Sequence, residues 1–323
     1  MKLLIYRKSF DDVAEALAAR PGVEPIIMER GGHCVTVDGT PVAEPDPEAA
    51  WFSTALFLDE GAPIREFATT MLACGTVRWV QSGAAGYEMP VFQRLFEAGI
   101  RLSINDASSV PIAEYVMAQV LACFQPGEAR LAAQAERRWE RLPFREIAGT
   151  RWLILGYGSI GQHVAERAKA FGATVVGIRR TPRPDAFAER VVGVDALAKE
   201  IADADVFVIC AAANDGNAHI VNAELLARMK SDAVLVNVAR GSLVDEAALV
   251  AALDAGRPHM AVLDVFEEEP LPEDSPLWTH PKIRATAHCS PFTEGTIPRG
   301  DVTFLEHLDA YLAGAPLRLE VHG

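Results

Sequence analysis

The sequence predicts an α/β fold built on parallel sheets, and three observations carry this prediction. Short apolar runs alternate with helical patterns along the chain, as in strands joined by crossover helices. One of these runs leads directly into a glycine-rich turn that is followed by a helical pattern. The length of 323 residues suits two domains of ordinary size.

The first third of the chain is predicted to hold four strands and two helices. The predicted strands are Leu3–Tyr6, Phe52–Leu58, Val77–Gln81 and Ile100–Ile104. The helices are Asp11–Ala19, capped by Ser9 or Asp11, and Pro63–Ala73. Small polar residues at 105–109 are typical of a hinge. Two further helices are expected after it, Pro111–Phe124 and Gly127–Glu140.

A second alternating series follows the hinge. Its predicted strands are Trp152–Leu155, Thr174–Ile178, Val206–Cys210, Val234–Val238 and Ala261–Val265. A last helix is expected over Thr293–Leu312, with Thr293 as its cap.

Composition excludes several classes of function. The net charge is −14, and an acidic surface repels nucleic acid and anionic membranes, so neither is expected as the main partner. No apolar run has the ~20 residues of a membrane helix. The five cysteines form no C-x-x-C pair, which favours a reducing cytoplasm over a disulfide framework or a metal site.

The first strand of the second series runs into the pattern G-x-G-x-x-G, which predicts a dinucleotide site. The first glycine permits a tight turn, the second lets the backbone approach a pyrophosphate, and the third lets the helix lie close to the sheet. The phosphates then meet free N–H groups at the helix N-terminus. The predicted contacts are Gly156, Tyr157, Gly158, Ser159, Ile160 and Gly161.

The residues after the next strand predict which dinucleotide is preferred. NAD sites usually carry a carboxylate there, which binds the ribose 2′-hydroxyl. This chain has Arg179, Arg180 and Thr181 instead, and a guanidinium can bind a 2′-phosphate through two hydrogen bonds. We therefore expect NADP(H) as the preferred cofactor and NAD(H) as an allowed second one.

Three blocks carry residue types that suit hydride transfer to a carbonyl. They contain Arg240 at the end of a strand, Glu269 in an acidic run, and His288 in a third block at 286–293. An arginine can hold the carboxylate of a 2-oxo acid and polarise its carbonyl. A histidine can donate the proton that the resulting alkoxide needs, and a neighbouring carboxylate favours its charged form.

Together these blocks resemble the D-isomer-specific 2-hydroxyacid dehydrogenase family, closest in type to NADP-dependent glyoxylate/hydroxypyruvate reductases. The matching text is LGYGSIG at 155–161, VNVARGSLVDEAALVAAL at 236–253, LDVFEEEPLP at 263–272, and a histidine nineteen positions after Glu269. The resemblance implies that Arg240, Glu269 and His288 are catalytic. It also implies that the substrate is a small 2-oxo or D-2-hydroxy acid of the glyoxylate or hydroxypyruvate type.

The resemblance implies further contacts. Backbone N–H groups in the segment Ala84, Ala85 and Gly86 would bind the substrate carboxylate, with Arg240 and His288 also touching the substrate. The residues implied beside the cofactor are Ala211, Ala212, Ala213, Val238, Ala239, Arg240 and Asp264.

The family topology implies two doubly wound parallel-sheet domains. A Rossmann cofactor domain, residues 106–288, would be inserted into a flavodoxin-like substrate domain formed by residues 1–105 and 289–323. A homodimer through residues 111–140 is also implied.

Departures from the family pattern leave the substrate side chain open. Ala287 stands in place of the usual proline before the histidine, and Cys289, Ser290, Pro291 and Phe292 follow it. Two alternative functions remain at this point: a non-catalytic, NAD(P)-sensing protein like the corepressor branch, and a phosphite dehydrogenase. Formate dehydrogenases carry Gln at the position of Glu269, which argues against that activity.

Overall fold

The computed structural model describes residues 1–87, 89–214 and 216–322, and the chain divides into two units. Unit 1 comprises Met1–Ser108 and Thr293–Gly323, and unit 2 comprises Ser109–Phe292. The domain boundaries predicted from the sequence lie a few residues earlier at both junctions. Gly323, the last residue of the predicted substrate domain, lies outside the described residues. The assignment of substrate to unit 1 and cofactor to unit 2 stays a prediction.

The first part of unit 1 contains seven strands and four helices within its described residues. The strands are β1 (Lys2–Tyr6), β2 (Glu24–Met28), β3 (Cys34–Val35), β4 (Pro41–Val42), β5 (Ala49–Phe52), β6 (Trp79–Ser82) and β7 (Arg101–Ser103). The helices are α1 (Arg7–Ala18), α2 (Thr54–Leu58), α3 (Ile64–Ala73) and α4 (Pro90–Glu97).

Unit 2 begins with two helices and continues as alternating strands and helices. The strands are β8 (Arg151–Leu155), β9 (Thr174–Ile178), β10 (Arg190–Val192), β11 (Val206–Ile209), β12 (Val234–Asn237), β13 (Met260–Leu263) and β14 (Ile283–Ala285). The helices are α5 (Ser109–Phe124), α6 (Gly127–Ala135), α7 (Ser159–Ala170), α8 (Leu197–Glu200), α9 (Ala223–Arg228) and α10 (Glu246–Asp254). The chain then returns to unit 1 with α11 (Thr296–Leu312) and β15 (Glu320–Val321).

The sheet of unit 2 is fully parallel, with the strand order β10-β9-β8-β11-β12-β13-β14. The order reverses between β8 and β11, and open α/β sheets bind ligands beyond the carboxyl ends of the strands at such a point. The glycine-rich turn follows β8, so the fold places it at this position.

The sheet of unit 1 has the order β15-β7-β6-β5-β1-β2-β3-β4. It is parallel from β7 to β2, but β15 runs antiparallel to β7, and β3 and β4 are antiparallel to their neighbours. The centre of this sheet is therefore parallel, as predicted, and antiparallel strands extend it at both edges. The edge strands β3 and β4 are joined by a short turn, which permits only antiparallel pairing.

Apolar residues cover both faces of the sheet in unit 2, as the strand period of two requires. In β8, Trp152 and Ile154 pack with residues of α5 and α7 on one face. Leu153 and Leu155 pack with residues of α9 and α10 on the other. Helices therefore lie on both faces of the sheet, and the prediction of a doubly wound α/β fold is confirmed for this unit.

Two predicted elements of unit 1 are wrong in part. The apolar run 52–58 was expected to be one strand, but β5 ends at Phe52 and α2 begins at Thr54. A short apolar run without periodicity does not distinguish a buried strand from a buried helix. Helix α1 begins at Arg7, so Ser9 and Asp11 lie inside it and do not cap it; the Ser9 hydroxyl is buried, 2.6 Å from that of Ser53.

Two helix ends also differ from the prediction. Helix α6 stops at Ala135, where Arg137 adopts a positive φ of 55°, and does not continue to residue 140. Helix α11 begins at Thr296, and the hydroxyl of Thr293 lies 3.0 Å from that of Thr296.

Candidate active site

The glycine-rich turn after β8 is fixed by backbone contacts that only glycine allows. Gly156 has a φ of 91°, and a Cβ added there would lie 2.3 Å from the backbone nitrogen of Ala211, two residues after β11. A Cβ on Gly161 would lie 2.7 Å from the carbonyl oxygen of Gly156. Both glycines are therefore needed to bring the turn and α7 against the sheet.

The N–H groups of this turn fall into two sets. Gly156 and Tyr157 donate to the Ile178 carbonyl at 3.0 and 2.9 Å, which ties the turn to β9. Within the described part of the chain, nothing accepts from the amides of Ser159 and Ile160 in the first turn of α7. A Cβ on Gly158 would meet no protein atom within 4 Å. Open amides beside a glycine with free space fit a pyrophosphate.

The three residues predicted to select the cofactor follow β9. Arg180 and Thr181 are exposed, and Arg179 is half-buried, with its amide donating to the Val192 carbonyl at 3.1 Å. Tyr157, also predicted to contact the cofactor, is 1% exposed. Its hydroxyl donates to Asp185 at 2.8 Å, so its side chain is turned into the protein.

The segments after β11 and β12 contain the other residues implied beside the cofactor. Ala211 and Ala213 are half-buried and Ala212 is exposed, whereas Val238 and Ala239 are buried. Asn237, which the sequence did not identify, fixes the second segment: its Oδ1 accepts from the Ala239 amide at 3.1 Å, and its Nδ2 donates to the Arg240 carbonyl at 3.0 Å.

Arg240 follows directly, in extended backbone with φ −146°. One of its guanidinium nitrogens donates to the Ala239 carbonyl at 2.7 Å. A Cβ on the next residue, Gly241, would lie 1.8 Å from the Phe266 carbonyl carbon. Because Gly241 has no side chain, the backbone next to Arg240 can contact the backbone of Phe266, three residues before Glu269.

Glu269 and His288 form a direct pair. The Glu269 Oε2 atom lies 2.8 Å from His288 Nδ1, and Oε1 accepts from the Phe266 amide at 2.9 Å. A carboxylate at Nδ1 keeps a proton on that nitrogen, so Nε2 is the atom that gains or loses one. The two side chains are 42% and 36% exposed, so the pair is accessible to a ligand.

Asp264 holds the backbone around the histidine. This residue is fully buried, and its carboxylate accepts from the Thr286 hydroxyl at 2.6 Å and from the amides of Cys289 and Ser290 at 2.9 and 3.0 Å. His288 itself has a φ of 49°, a conformation that is rare and strained for a residue with a Cβ. The carboxylate therefore stabilises an unfavourable backbone next to the Glu269–His288 pair. The implied place of Asp264 beside the cofactor stays a prediction.

The segment predicted to bind the substrate carboxylate lies in unit 1, after β6. The Ala84 amide donates to the Ser82 hydroxyl at 3.1 Å, so it is already bonded, whereas the amides of Ala85 and Gly86 meet no acceptor among the described residues. A Cβ on Gly83 would lie 2.1 Å from the Thr54 nitrogen.

Buried polar side chains hold the segment after β6 in place. Gln81 donates to the carbonyls of Ser82 and Ile104 at 2.9 and 3.1 Å, and its oxygen lies 2.5 Å from His307 Nδ1 in α11. Both side chains are buried, and burial lowers the pKa of His307. No motif in the sequence predicted this pair.

The described residues contain no helix long and apolar enough to cross a membrane. Within the same residues, no group of three or more His, Cys, Asp or Glu side chains is arranged to hold a metal ion.

Comparison with known proteins identifies the family. The model for "D-isomer specific 2-hydroxyacid dehydrogenase, NAD binding domain" matches residues 117–290. A D-3-phosphoglycerate dehydrogenase of Methanocaldococcus jannaschii is 36% identical over 67% of this chain, although the match spans only 41% of that longer protein. A glyoxylate/hydroxypyruvate reductase B of Yersinia pestis is 34% identical over 66% of this chain and 68% of its own length.

Solved structures extend the likeness to nearly the whole chain. A family protein of Aeromonas salmonicida has a TM-score of 0.78 at 28% identity, covering 99% of this chain and 98% of its own. A family dehydrogenase of Xanthobacter autotrophicus, solved in complex with NADPH and MES, has a TM-score of 0.74 at 26% identity, covering 99% and 97%. The chain belongs to the D-isomer specific 2-hydroxyacid dehydrogenase family, as its motifs predicted, and with it to the NAD(P)-dependent dehydrogenases and reductases.

Proposed function

We propose that the protein reduces a small 2-oxo acid of the glyoxylate or hydroxypyruvate type to the D-2-hydroxy acid, with NADPH as the preferred reductant. The observation that carries this proposal is the Glu269–His288 pair, 2.8 Å apart and accessible, in the same unit as the open amides of α7. The names of relatives support the substrate class, since the Yersinia pestis relative is a glyoxylate/hydroxypyruvate reductase. The NADPH complex of the Xanthobacter autotrophicus structure supports the cofactor.

When bound, the reduced nicotinamide supplies the hydride that adds to the carbonyl carbon of the oxo acid. Arg240 holds the substrate carboxylate by charge-assisted hydrogen bonds and polarises the carbonyl toward the developing alkoxide. Protonated His288 donates from Nε2 to that oxygen, and in the reverse direction its neutral form accepts the proton. Glu269 orients the ring and stabilises the imidazolium, while the amides of Ala85 and Gly86 are assigned to the substrate carboxylate.

The arginines after β9 underlie the preference for NADPH. Arg179 and Arg180 follow the strand at the position where a carboxylate would select NAD, and two guanidinium groups there suit a 2′-phosphate. The fit of the dinucleotide to this chain rests on the glycines and open amides of the turn after β8.

The test is the loss of reduced-nicotinamide absorbance with NADPH and NADH separately. Glyoxylate, hydroxypyruvate, pyruvate and phenylpyruvate serve as oxidants, and phosphite with NADP⁺ is tested in the opposite direction. We expect fastest turnover with NADPH and glyoxylate or hydroxypyruvate. If the protein oxidises phosphite and reduces none of the oxo acids, it is a phosphite dehydrogenase and the proposed substrate class is wrong. Tight NADPH binding without turnover of any of these compounds would favour a non-catalytic sensor.

We also propose that the protein is a cytoplasmic homodimer that associates through residues 111–140. Leu131 and Trp139 in this segment are 67% and 97% exposed, and a second copy of the chain would bury apolar area on both side chains. The five cysteines are free thiols, in keeping with a reducing compartment. Light scattering after size exclusion tests the assembly: we expect the mass of two chains, and a monomer for a variant with Leu131→Glu and Trp139→Glu. A monomeric parent protein would contradict the proposal.

A further inference from the structure

The segment between β9 and β10, residues 179–189, has no helix or strand of its own, yet it carries the two arginines assigned to the 2′-phosphate. Most of its residues from 180 to 186 are exposed. A binding site on such a segment needs something that fixes its backbone, because an arginine loses affinity when its own position must first be ordered.

One carboxylate in this segment is held by three donors. Asp185 Oδ1 accepts from the Tyr157 hydroxyl and from the Phe187 amide, both at 2.8 Å, and Oδ2 accepts from Gln162 Nε2 at 2.9 Å. These hydrogen bonds outweigh partial burial and lower the pKa of Asp185, to which the nearby charge of Arg179 also contributes. The Asp185 carboxylate is therefore ionised, and both of its oxygens accept hydrogen bonds from the protein.

Two of those donors belong to the phosphate-binding turn and its helix. Tyr157 is the second residue of the G-x-G-x-x-G pattern, and Gln162 follows its last glycine in α7. The Tyr157 ring lies against Gly177 in β9, where an added Cβ would come within 2.4 Å of the ring. The tyrosine thus reaches Asp185 through a space that a larger residue at 177 would fill.

We propose that Tyr157, Gln162 and Asp185 are positioning residues for cofactor selection. They join the segment of the arginines to the turn that binds the pyrophosphate, so that Arg179 and Arg180 are already in place for a 2′-phosphate. Asp185 is six residues beyond Arg179 and its oxygens face protein donors, so it does not act as the ribose-binding carboxylate of an NAD site. This inference rests on the proposed preference for NADPH.

The test compares dissociation constants for NADPH and NADH, measured by the change in nucleotide fluorescence on binding. The variants are D185A and Y157F, with D203A as the control for loss of an exposed carboxylate elsewhere in unit 2. We expect D185A to lower the NADPH-over-NADH preference about fivefold, the scale of one net hydrogen bond, and Y157F to lower it in the same direction. D203A should leave the preference unchanged.

The D185A substitution in a protein without the two arginines distinguishes a positioning role from a general loss of binding or folding. In a protein that already carries R179A and R180A, D185A should change the preference less than about twofold, because no arginines are left to position. If D185A and Y157F, each made in the parent protein, both keep the preference for NADPH over NADH, the positioning inference is overturned and the proposed cofactor is not. A parent protein without preference for NADPH overturns the proposed cofactor and this inference together. Y157F keeps the ring on Gly177, so it carries the test if D185A does not fold.

Discussion

Two segments at the carboxyl ends of parallel strands are fixed by different sets of contacts. The turn after β8 in unit 2 is held by backbone contacts: Gly156 lies against Ala211, and its amide donates to Ile178. The segment after β6 in unit 1 also has a close glycine, Gly83 against Thr54, but it additionally rests on the buried side chains of Gln81 and His307.

The difference decides what a sequence can reveal. A backbone contact that admits no Cβ leaves a glycine at a fixed spacing, and such spacing is visible as a motif. A buried hydrogen bond between side chains 226 residues apart leaves two ordinary polar residues with no pattern. Variants in both units test these two modes of construction and the proposed chemistry of unit 2.

The largest effect is expected for Arg240→Ala. In the proposed mechanism, loss of the guanidinium removes both the hold on the substrate carboxylate and the stabilisation of the developing oxyanion, so kcat/KM for the 2-oxo acid should fall about 1,000-fold. Steady-state kinetics checks this, with Arg228→Ala, on the surface of α9, as the matched control. A variant with more than a tenth of the parent kcat/KM would remove Arg240 from the proposed mechanism.

Two glycine variants separate folding from binding in the turn after β8. Gly156→Ala should lower both the melting temperature and dinucleotide affinity, because its Cβ meets the Ala211 backbone. Gly158→Ala should keep the melting temperature yet weaken NADPH binding at least about tenfold, since its Cβ would enter only the space assigned to the pyrophosphate. Unchanged NADPH affinity in Gly158→Ala would contradict that assignment.

His307→Leu should destabilise the protein by about 1–3 kcal/mol, because it leaves the buried Gln81 oxygen without its donor. It should also raise KM for the oxo acid, through the segment after β6. Burial lowers the pKa of His307 below its ordinary value of 6.5. The unfolded chain therefore binds a proton that the folded protein does not, and stability falls as pH drops through 6.5.

Urea unfolding at several pH values checks this prediction. The acid-side loss of stability should be smaller in His307→Leu than in the parent protein. Equal pH dependence in the two proteins would show that His307 does not titrate with folding.

The smallest effect is expected at Asp301 in α11. Burial and the nearby carboxylate of Asp12 raise its pKa from 3.8 to about 7. Between these values the folded protein holds a proton that the unfolded chain has lost, so this group makes stability fall as pH rises from about 4 to 7. Asp301→Asn should therefore melt higher than the parent protein at pH 8 and not at pH 4. A melting curve at each pH checks this, and an equal difference at both would contradict it.

The sequence predicted the parallel strands around the site well, because each is a short buried run followed by a turn. The family motifs also placed Glu269 beside His288, and these side chains lie 2.8 Å apart, while their catalytic roles stay a prediction. The sequence did not predict that Tyr157 is buried beneath the turn after β8, or that residues 54–58 form a helix. It also did not predict that Asp264 accepts hydrogen bonds from the backbone that follows His288. Each of these depends on which distant residue lies nearby, and neither periodicity nor motif spacing contains that information.

We propose that His288, oriented by Glu269, is the acid of an NADPH-dependent reduction. The most direct test measures kcat with the preferred oxo acid and the Kd of NADPH in the parent protein and in His288→Ala. We expect kcat to fall at least about 100-fold while the Kd of NADPH stays within about twofold. A near-parental kcat in His288→Ala would contradict it.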